Sequence, residues 1–313
     1  MKRSTMRTKC LAVVVVCGLV LVVQGRAVAA EPVPPTYEDL SYGPHERNVL
    51  DLWLAPSEKP TPLLIFMHGG GFRRGDKQGI RNRPAIQQCL DAGVSFASIN
   101  YRFLEHTGLP NILRDAARSI QFLRSRAKQW NLDPQRIAIY GSSAGAGTSM
   151  WLAFHDDLAD PNSSDSVLRQ SSRVVAAGSL DGQASYDLRD WDRYVGPPPD
   201  GVSLSDPVEF YGFADRAAAK SPDGDRTMKD CAMIDLISPD DPPVAIACAR
   251  LPGESVDRGH YLHHPKHSTA LADRCKKHGV KCLLLLHKDT AGDRGKQADA
   301  VVGFLIKQLT ALR

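Results

Sequence analysis

The chain has 313 residues, of which 42% are hydrophobic and 24% charged, and a formal charge of +4. That composition excludes a disordered chain and a multi-span membrane protein, and the length suits one large α/β domain or two ordinary ones. The excess charge sits at the start: residues 1–29 hold five basic side chains and no acidic one, so the rest carries 34 basic against 35 acidic residues, and no general affinity for nucleic acid or anionic membrane is expected.

The first element reads as a removable leader. Lys2, Arg3, Arg7 and Lys9 precede the apolar run LAVVVVCGLVLVV (11–23), and Ala27-Val28-Ala29 places small residues where a signal peptidase cuts. Export with cleavage before Ala30 is expected, to the periplasm or the extracellular space, and no stable membrane insertion afterwards; the competing reading is an uncleaved anchor. An exported chain can form disulfides. The mature chain keeps Cys89, Cys231, Cys248, Cys275 and Cys282, an odd number without a CxxC pair, and buried thiols are the simplest reading.

After the proline-rich entry EPVPPTYEDL (31–40), strand and helix patterns alternate. Strands are expected at 49–55, 62–68, 93–101, 136–140, 173–178, 243–248 and 281–287. Helices are expected at 111–130, across 149–155, at 265–278 and at 297–312. Short apolar runs such as PLLIFMH suit strands buried on both faces, and the βα alternation implies a mostly parallel sheet covered by helices, one domain over residues 36–313. Residues 180–240, with PPPDG and two charge clusters, read either as an insertion forming a partial lid or as a plain excursion.

Two motifs carry chemistry. GSSAGAG (141–147) follows the strand RIAIY and precedes a helix, which puts Ser143 on a sharp strand-to-helix turn above the sheet. The following helix aims free N–H groups at that point, so the amide of Ala144 is a ready oxyanion donor. HGGGF (68–72) follows PLLIFM, and its glycines let the amides of Gly70 and Gly71 approach a substrate oxygen. His68 reads as a support of that loop.

HGGGF with GSSAG, preceded by VLDLWLAP and followed by NYRF (100–103), resembles the α/β-hydrolase esterases and lipases, and among them the secreted feruloyl and acetyl esterase-like carbohydrate esterases. The resemblance is strong from about 40 to 155 and thin beyond. It implies an eight-stranded α/β-hydrolase sheet, Ser143 as nucleophile, Gly70, Gly71 and Ala144 as oxyanion hole, and hydrolysis of short acyl or carbohydrate-linked esters through an acyl-enzyme, with no cofactor.

The general base departs from that family's pattern. The histidine expected after the eighth strand is replaced by His287 at the strand's end, while the loop RLPGESVDRGHYLHHPKH (250–267) holds His260, His263, His264 and His267. One triad pairs His287 with Glu254 or Asp257; the other uses His264, or His263, with Asp289 or Asp293. Asp181 is a third acid, and His264 leads narrowly. The HxxHHxxH run lacks HExxH and any carboxylate at ligand spacing, so no metal is expected. An inactive homologue used for binding and a serine peptidase of related fold are the rival functions.

Overall fold

The structure, a computed structural model, describes residues 33–311. The leader expected over 1–29 lies outside the described residues.

Eight strands form one sheet in the order β1-β2-β4-β3-β5-β6-β7-β8. They are β1 (Tyr37–Ser41), β2 (Val49–Trp53), β3 (Thr61–Met67), β4 (Ser95–Ile99), β5 (Leu132–Ser142), β6 (Ala176–Leu180), β7 (Val244–Ala247) and β8 (Cys282–Leu285). β1 and β2 pair antiparallel, as do β2 and β4; the pairings from β4 through β8 are parallel. The mostly parallel sheet is the α/β-hydrolase architecture the motifs imply.

The centre of the sheet is buried on both faces, and its side chains alternate between two cores. Leu63, Ile65 and Met67 of β3 join Ala97, Ile99, Ile137 and Ile139 on one face. Leu64 and Phe66 join Phe96, Ala138 and Tyr140 on the other. Each such large side chain, fully buried, contributes about 1.5–3 kcal/mol of transfer free energy.

The helices are α1 (Ala85–Asp91), α2 (Leu109–Ser125), α3 (Ala144–Phe154), the short α4 (Trp191–Tyr194), α5 (Pro207–Tyr211), α6 (Arg216–Ala219), α7 (Pro222–Asp230) and α8 (Met233–Leu236), then α9 (Arg258–Leu262), α10 (Pro265–His278), α11 (His287–Thr290) and α12 (Arg294–Ala311). α2, α3 and α10 cover the first face, and α1 and α12 the second. The irregular stretch 180–240 folds into the five short helices α4–α8, and its residues Tyr186, Leu188, Trp191, Leu204 and Phe210 line a cleft that also holds Ser143. Among the described residues no helix is long and apolar enough to cross a membrane.

Two departures from the sequence reading have local causes. β1 falls in the segment read as an entry loop. YEDLS is an exposed edge strand with a register shift between Tyr37 and Leu40, and it shows no apolar alternation because little of it faces a core. Residue 287, expected as strand, opens α11, because Asp289 accepts the N–H of Leu286 at 2.8 Å and turns the chain into a helix.

Among the described cysteines, Cys89, Cys231, Cys248 and Cys275 are buried and Cys282 is half-buried, all as free thiols. Burial pushes the Cys89 and Cys248 thiols up to about 12, so neither is a nucleophile near neutral pH.

Candidate functional site

The parallel strands end in loops on one sheet edge, the place where ligands bind in open α/β sheets. β5 ends at Ser142, and α3 starts at Ala144, leaving one residue to make the turn. That residue, Ser143, sits at φ 53°, ψ −115°, a left-handed conformation costing about 1–3 kcal/mol in a non-glycine residue. Its N–H is tied to the carbonyl of Leu180 at 2.9 Å, which holds the turn to β6.

The close approach of this turn to the loop after β3 explains the flanking glycine. A Cβ on Gly145 would lie 2.2 Å from the Met67 carbonyl oxygen and 2.7 Å from that of His68. The backbone around Ser143 therefore abuts the HGGGF segment, and the two motifs, separate in sequence, share one cleft lined by Gly70, Gly71, Ser143 and Ala144. Gly70 has φ 118° and would drive a Cβ into the Arg74 carbonyl at 1.9 Å, so this loop can take its path only with glycine there. Ala144 opens α3, and N–H groups of a first helical turn have no intrahelical acceptor. Gly70, Gly71 and Ala144 thus line the same cleft as Ser143, and an oxyanion site would need N–H donors there.

His68 supports this loop. Its Nδ1–H donates to the Gly69 carbonyl at 2.7 Å, and its ring stacks on Tyr101 at 4.3 Å, whose hydroxyl donates back to the His68 carbonyl at 2.8 Å. Burial lowers its pKa to about 4, which keeps it neutral. Further along, the loop is pinned by Lys77, whose buried ammonium contacts Asp51 at 2.6 Å and Asp39 at 2.8 Å.

The histidine facing Ser143 is His263. Its Nε2 lies 3.5 Å from Ser143 Oγ, a distance that tightens into a hydrogen bond in many substrate complexes. Its Nδ1 lies 2.8 Å from the backbone carbonyl of Asp181. A carbonyl only accepts, so Nδ1 carries the proton and Nε2 presents its lone pair to the serine. Gln183 Nε2, 3.3 Å from the same Nδ1, instead donates to the Leu262 carbonyl at 2.9 Å. The Cys248 thiol donates to the His263 carbonyl at 3.4 Å, holding the residue from below.

Asp181 therefore orients the ring through its main chain. It stands at φ 54°, the turn that aims its carbonyl at His263. Its carboxylate is occupied elsewhere: Oδ1 accepts the Ala249 N–H at 3.0 Å, and Oδ2 lies 3.4 Å from Arg294. Burial lowers the His263 pKa below 6.5. The carbonyl bond and the Asp181 charge oppose that shift, and Arg250 and Arg294 add to it.

The remaining sequence candidates are placed away from Ser143. His264, the leading base, is the N-cap of α10: Nδ1 accepts the Lys266 N–H at 3.0 Å, and Nε2–H donates to the Gly253 carbonyl at 2.7 Å. Both ring nitrogens are committed, so it cannot serve the serine. His287 donates from Nδ1 to the Ala249 carbonyl at 2.9 Å and packs against Gly292. His267 is fully buried, accepting the Ala184 N–H and donating to the Tyr261 carbonyl, both at 3.3 Å. His260 contacts the Leu251 carbonyl at 2.9 Å. The four histidines of the run thus serve four separate sets of partners.

Among the described residues no carboxylate of the expected acids bonds to His263; Asp181 reaches it only through its main-chain carbonyl. Asp257 caps α9 by accepting the His260 N–H at 2.7 Å. Asp289 caps α11, Asp293 accepts the Lys296 N–H at 3.1 Å, and Glu254 is exposed. Asp257 and Asp293 precede a helix and satisfy its free amides, and Asp289, inside α11, accepts the amide of Leu286 just before it.

Asp181→Asn separates the two ways of orienting the ring. Asparagine tolerates the left-handed backbone and keeps the carbonyl. We expect kcat on an aryl ester to fall less than tenfold, whereas loss of a triad carboxylate costs about 10⁴-fold. A 10⁴-fold drop would show that the carboxylate engages Nδ1 in the working protein.

Residues 50–249 match the family model described as BD-FAE. A probable isoprenylcysteine alpha-carbonyl methylesterase from Arabidopsis thaliana is 30% identical over 156 residues, covering 50% of this chain and 32% of that protein. A probable carboxylic ester hydrolase from Mycobacterium tuberculosis is 31% identical over 143 residues, covering 44% and 32%. The chain thus spans about a third of the length of these curated relatives. Among solved structures, a truncated carbohydrate esterase from gut microbiota superposes with TM-score 0.66 at 19% identity, over 90% of this chain and all of that one. An acetyl ester-xyloside bifunctional hydrolase from Caldicellulosiruptor lactoaceticus gives TM-score 0.57 at 22% identity, over 84% and 88%. At these identities the superpositions speak to the fold.

Proposed function

Since the chain belongs to the BD-FAE family of α/β-hydrolase esterases, we propose that it is a serine carboxylic ester hydrolase acting through an acyl-enzyme on short acyl or carbohydrate-linked esters. The observation that carries the reading is Ser143 on its strained turn, 3.5 Å from the lone pair of His263 and beside the Gly70, Gly71 and Ala144 amides. In this mechanism His263 takes the Ser143 proton as Oγ attacks the ester carbonyl. The amides receive the oxyanion, and the imidazolium returns its proton to the leaving alcohol. Water then repeats the cycle on the acyl-serine. The Asp181 carbonyl holds the tautomer throughout, a role an acid plays in the full triad. Export, proposed from the charged start and apolar run of residues 1–29, would put this chemistry on substrates outside the cytoplasm.

The purified protein should hydrolyse 4-nitrophenyl acetate with a distinctive acid limb. The base works only when neutral, and burial disfavours the imidazolium, so its pKa lies below 6.5 and the neutral form persists further into acid. A plot of kcat/KM against pH should therefore fall to half its plateau below pH 6.5. A midpoint above 6.5 would mean that a carboxylate raises the base, contrary to this assignment; no turnover at any pH would remove the esterase reading.

A further inference from the structure

The cleft over Ser143 has a volume of about 430 Å³ and a lopsided chemistry. Phe72, Tyr186, Trp191 and Phe210 give it apolar walls, and its charged lining residues are Arg73, Arg74 and Arg258, with no aspartate or glutamate among the residues that line it. The three arginines approach from two sides: Arg73 and Arg74 follow the HGGGF loop, and Arg258 opens α9, five residues before His263. Arg73 is paired with Glu209 at 2.7 Å. Arg74 and Arg258 are exposed, and among the described residues neither guanidinium has an ion-pair partner. Asp257, the carboxylate next to Arg258 in sequence, is bound to the His260 amide at 2.7 Å. Two arginines without an ion-pair partner among the described residues thus line the cleft that holds Ser143, in a chain that is otherwise close to neutral beyond its first 29 residues.

Resting on the esterase reading above, we propose that the site selects esters that carry a carboxylate a few bonds from the scissile carbonyl, such as an acylated acidic sugar, with Arg74 and Arg258 as the residues that recognise the anion. Guanidinium is the side chain suited to this task, because its planar fork matches a carboxylate with two parallel hydrogen bonds. Both arginines are exposed, so each contact with an anion is modest and screened by salt. Their combined effect is a preference of about tenfold that weakens as ionic strength rises.

The test uses two matched pairs of esters. 4-Acetoxybenzoate against its methyl ester places the charge on the alcohol side; mono-(4-nitrophenyl) adipate against 4-nitrophenyl hexanoate places it on the acyl side. The readout is the ratio of kcat/KM for the charged over the neutral member, compared between the parent and the Arg74→Gln/Arg258→Gln double variant, which cancels intrinsic reactivity. In at least one pair the ratio should be about tenfold higher in the parent than in the variant, and that excess should shrink in 0.5 M NaCl. The pair that shows it identifies the side carrying the anion. If the parent turns over the neutral esters and the ratio is the same in parent and variant for both pairs, the anion preference is wrong while the esterase reading stands. If the parent hydrolyses none of the four esters, both fail. A variant that loses the neutral and charged substrates in equal proportion also counts against it, since the arginines would then be shaping the cleft.

Discussion

Replacing Ser143 by alanine is expected to lower kcat on 4-nitrophenyl acetate by about 10⁴-fold or more while leaving the fold intact. The hydroxyl is the only atom removed, and nothing in the scaffold depends on it: Ser143 is held by its N–H on the Leu180 carbonyl, and its carbonyl accepts the amides of Ala146 and Gly147. The variant keeps the proposed oxyanion donors and the cleft, so residual catalysis above water is expected. The left-handed backbone at φ 53° persists, because the neighbouring strand and helix impose it. Alanine and serine pay similar strain there, so the melting temperature should change little. Comparable kcat in the two purified proteins would remove Ser143 from the chemistry.

His263→Ala is expected to lower kcat by about 10³-fold or more, and the contrast with its neighbours is the informative part. His264→Ala removes the α10 cap and a bond to the Gly253 carbonyl, so its expected cost is about 1 kcal/mol of stability with kcat within a few-fold. His287→Ala removes a ring that faces the Ala249 carbonyl, and kcat should again stay within a few-fold. If His264→Ala or His287→Ala abolishes turnover while His263→Ala does not, the assignment of the base is wrong. The loss in His263→Ala should not be recovered by raising substrate concentration, because the base acts in the transition state and contributes little to ground-state binding.

The turn at Ser143 and the glycine loop after β3 were legible in the sequence because each is built locally. A strand, a tight turn and a helix are specified by neighbours in the chain, and the glycines are required by approaches such as Gly145 to the Met67 carbonyl. The doubly buried strands were legible as apolar runs for the same reason. The histidine that faces Ser143, His263, ranked only behind its neighbour His264, because its place depends on the path of residues 250–264, which carry no periodic pattern. Adjacent histidines 263 and 264 differ only in where α10 begins, and that difference was readable. Pro265 at the first helical position makes residue 264 the N-cap, and N-cap side chains turn to their own helix amides. His263, one residue outside, is the C-cap of α9 and is free to reach across. The role of Asp181 leaves no sequence signal, since any residue has a carbonyl and only the left-handed turn at 181 aims this one.

The central claim is that Ser143, activated by His263, becomes covalently acylated. The most direct measurement is intact-protein and peptide mass spectrometry after exposure to a fluorophosphonate, which reacts with activated serines. One adduct per chain is predicted, on the peptide containing Ser143, and it should form far more slowly in His263→Ala. Failure of the parent protein to label, or an adduct on another residue with Ser143 unmodified, would contradict the account.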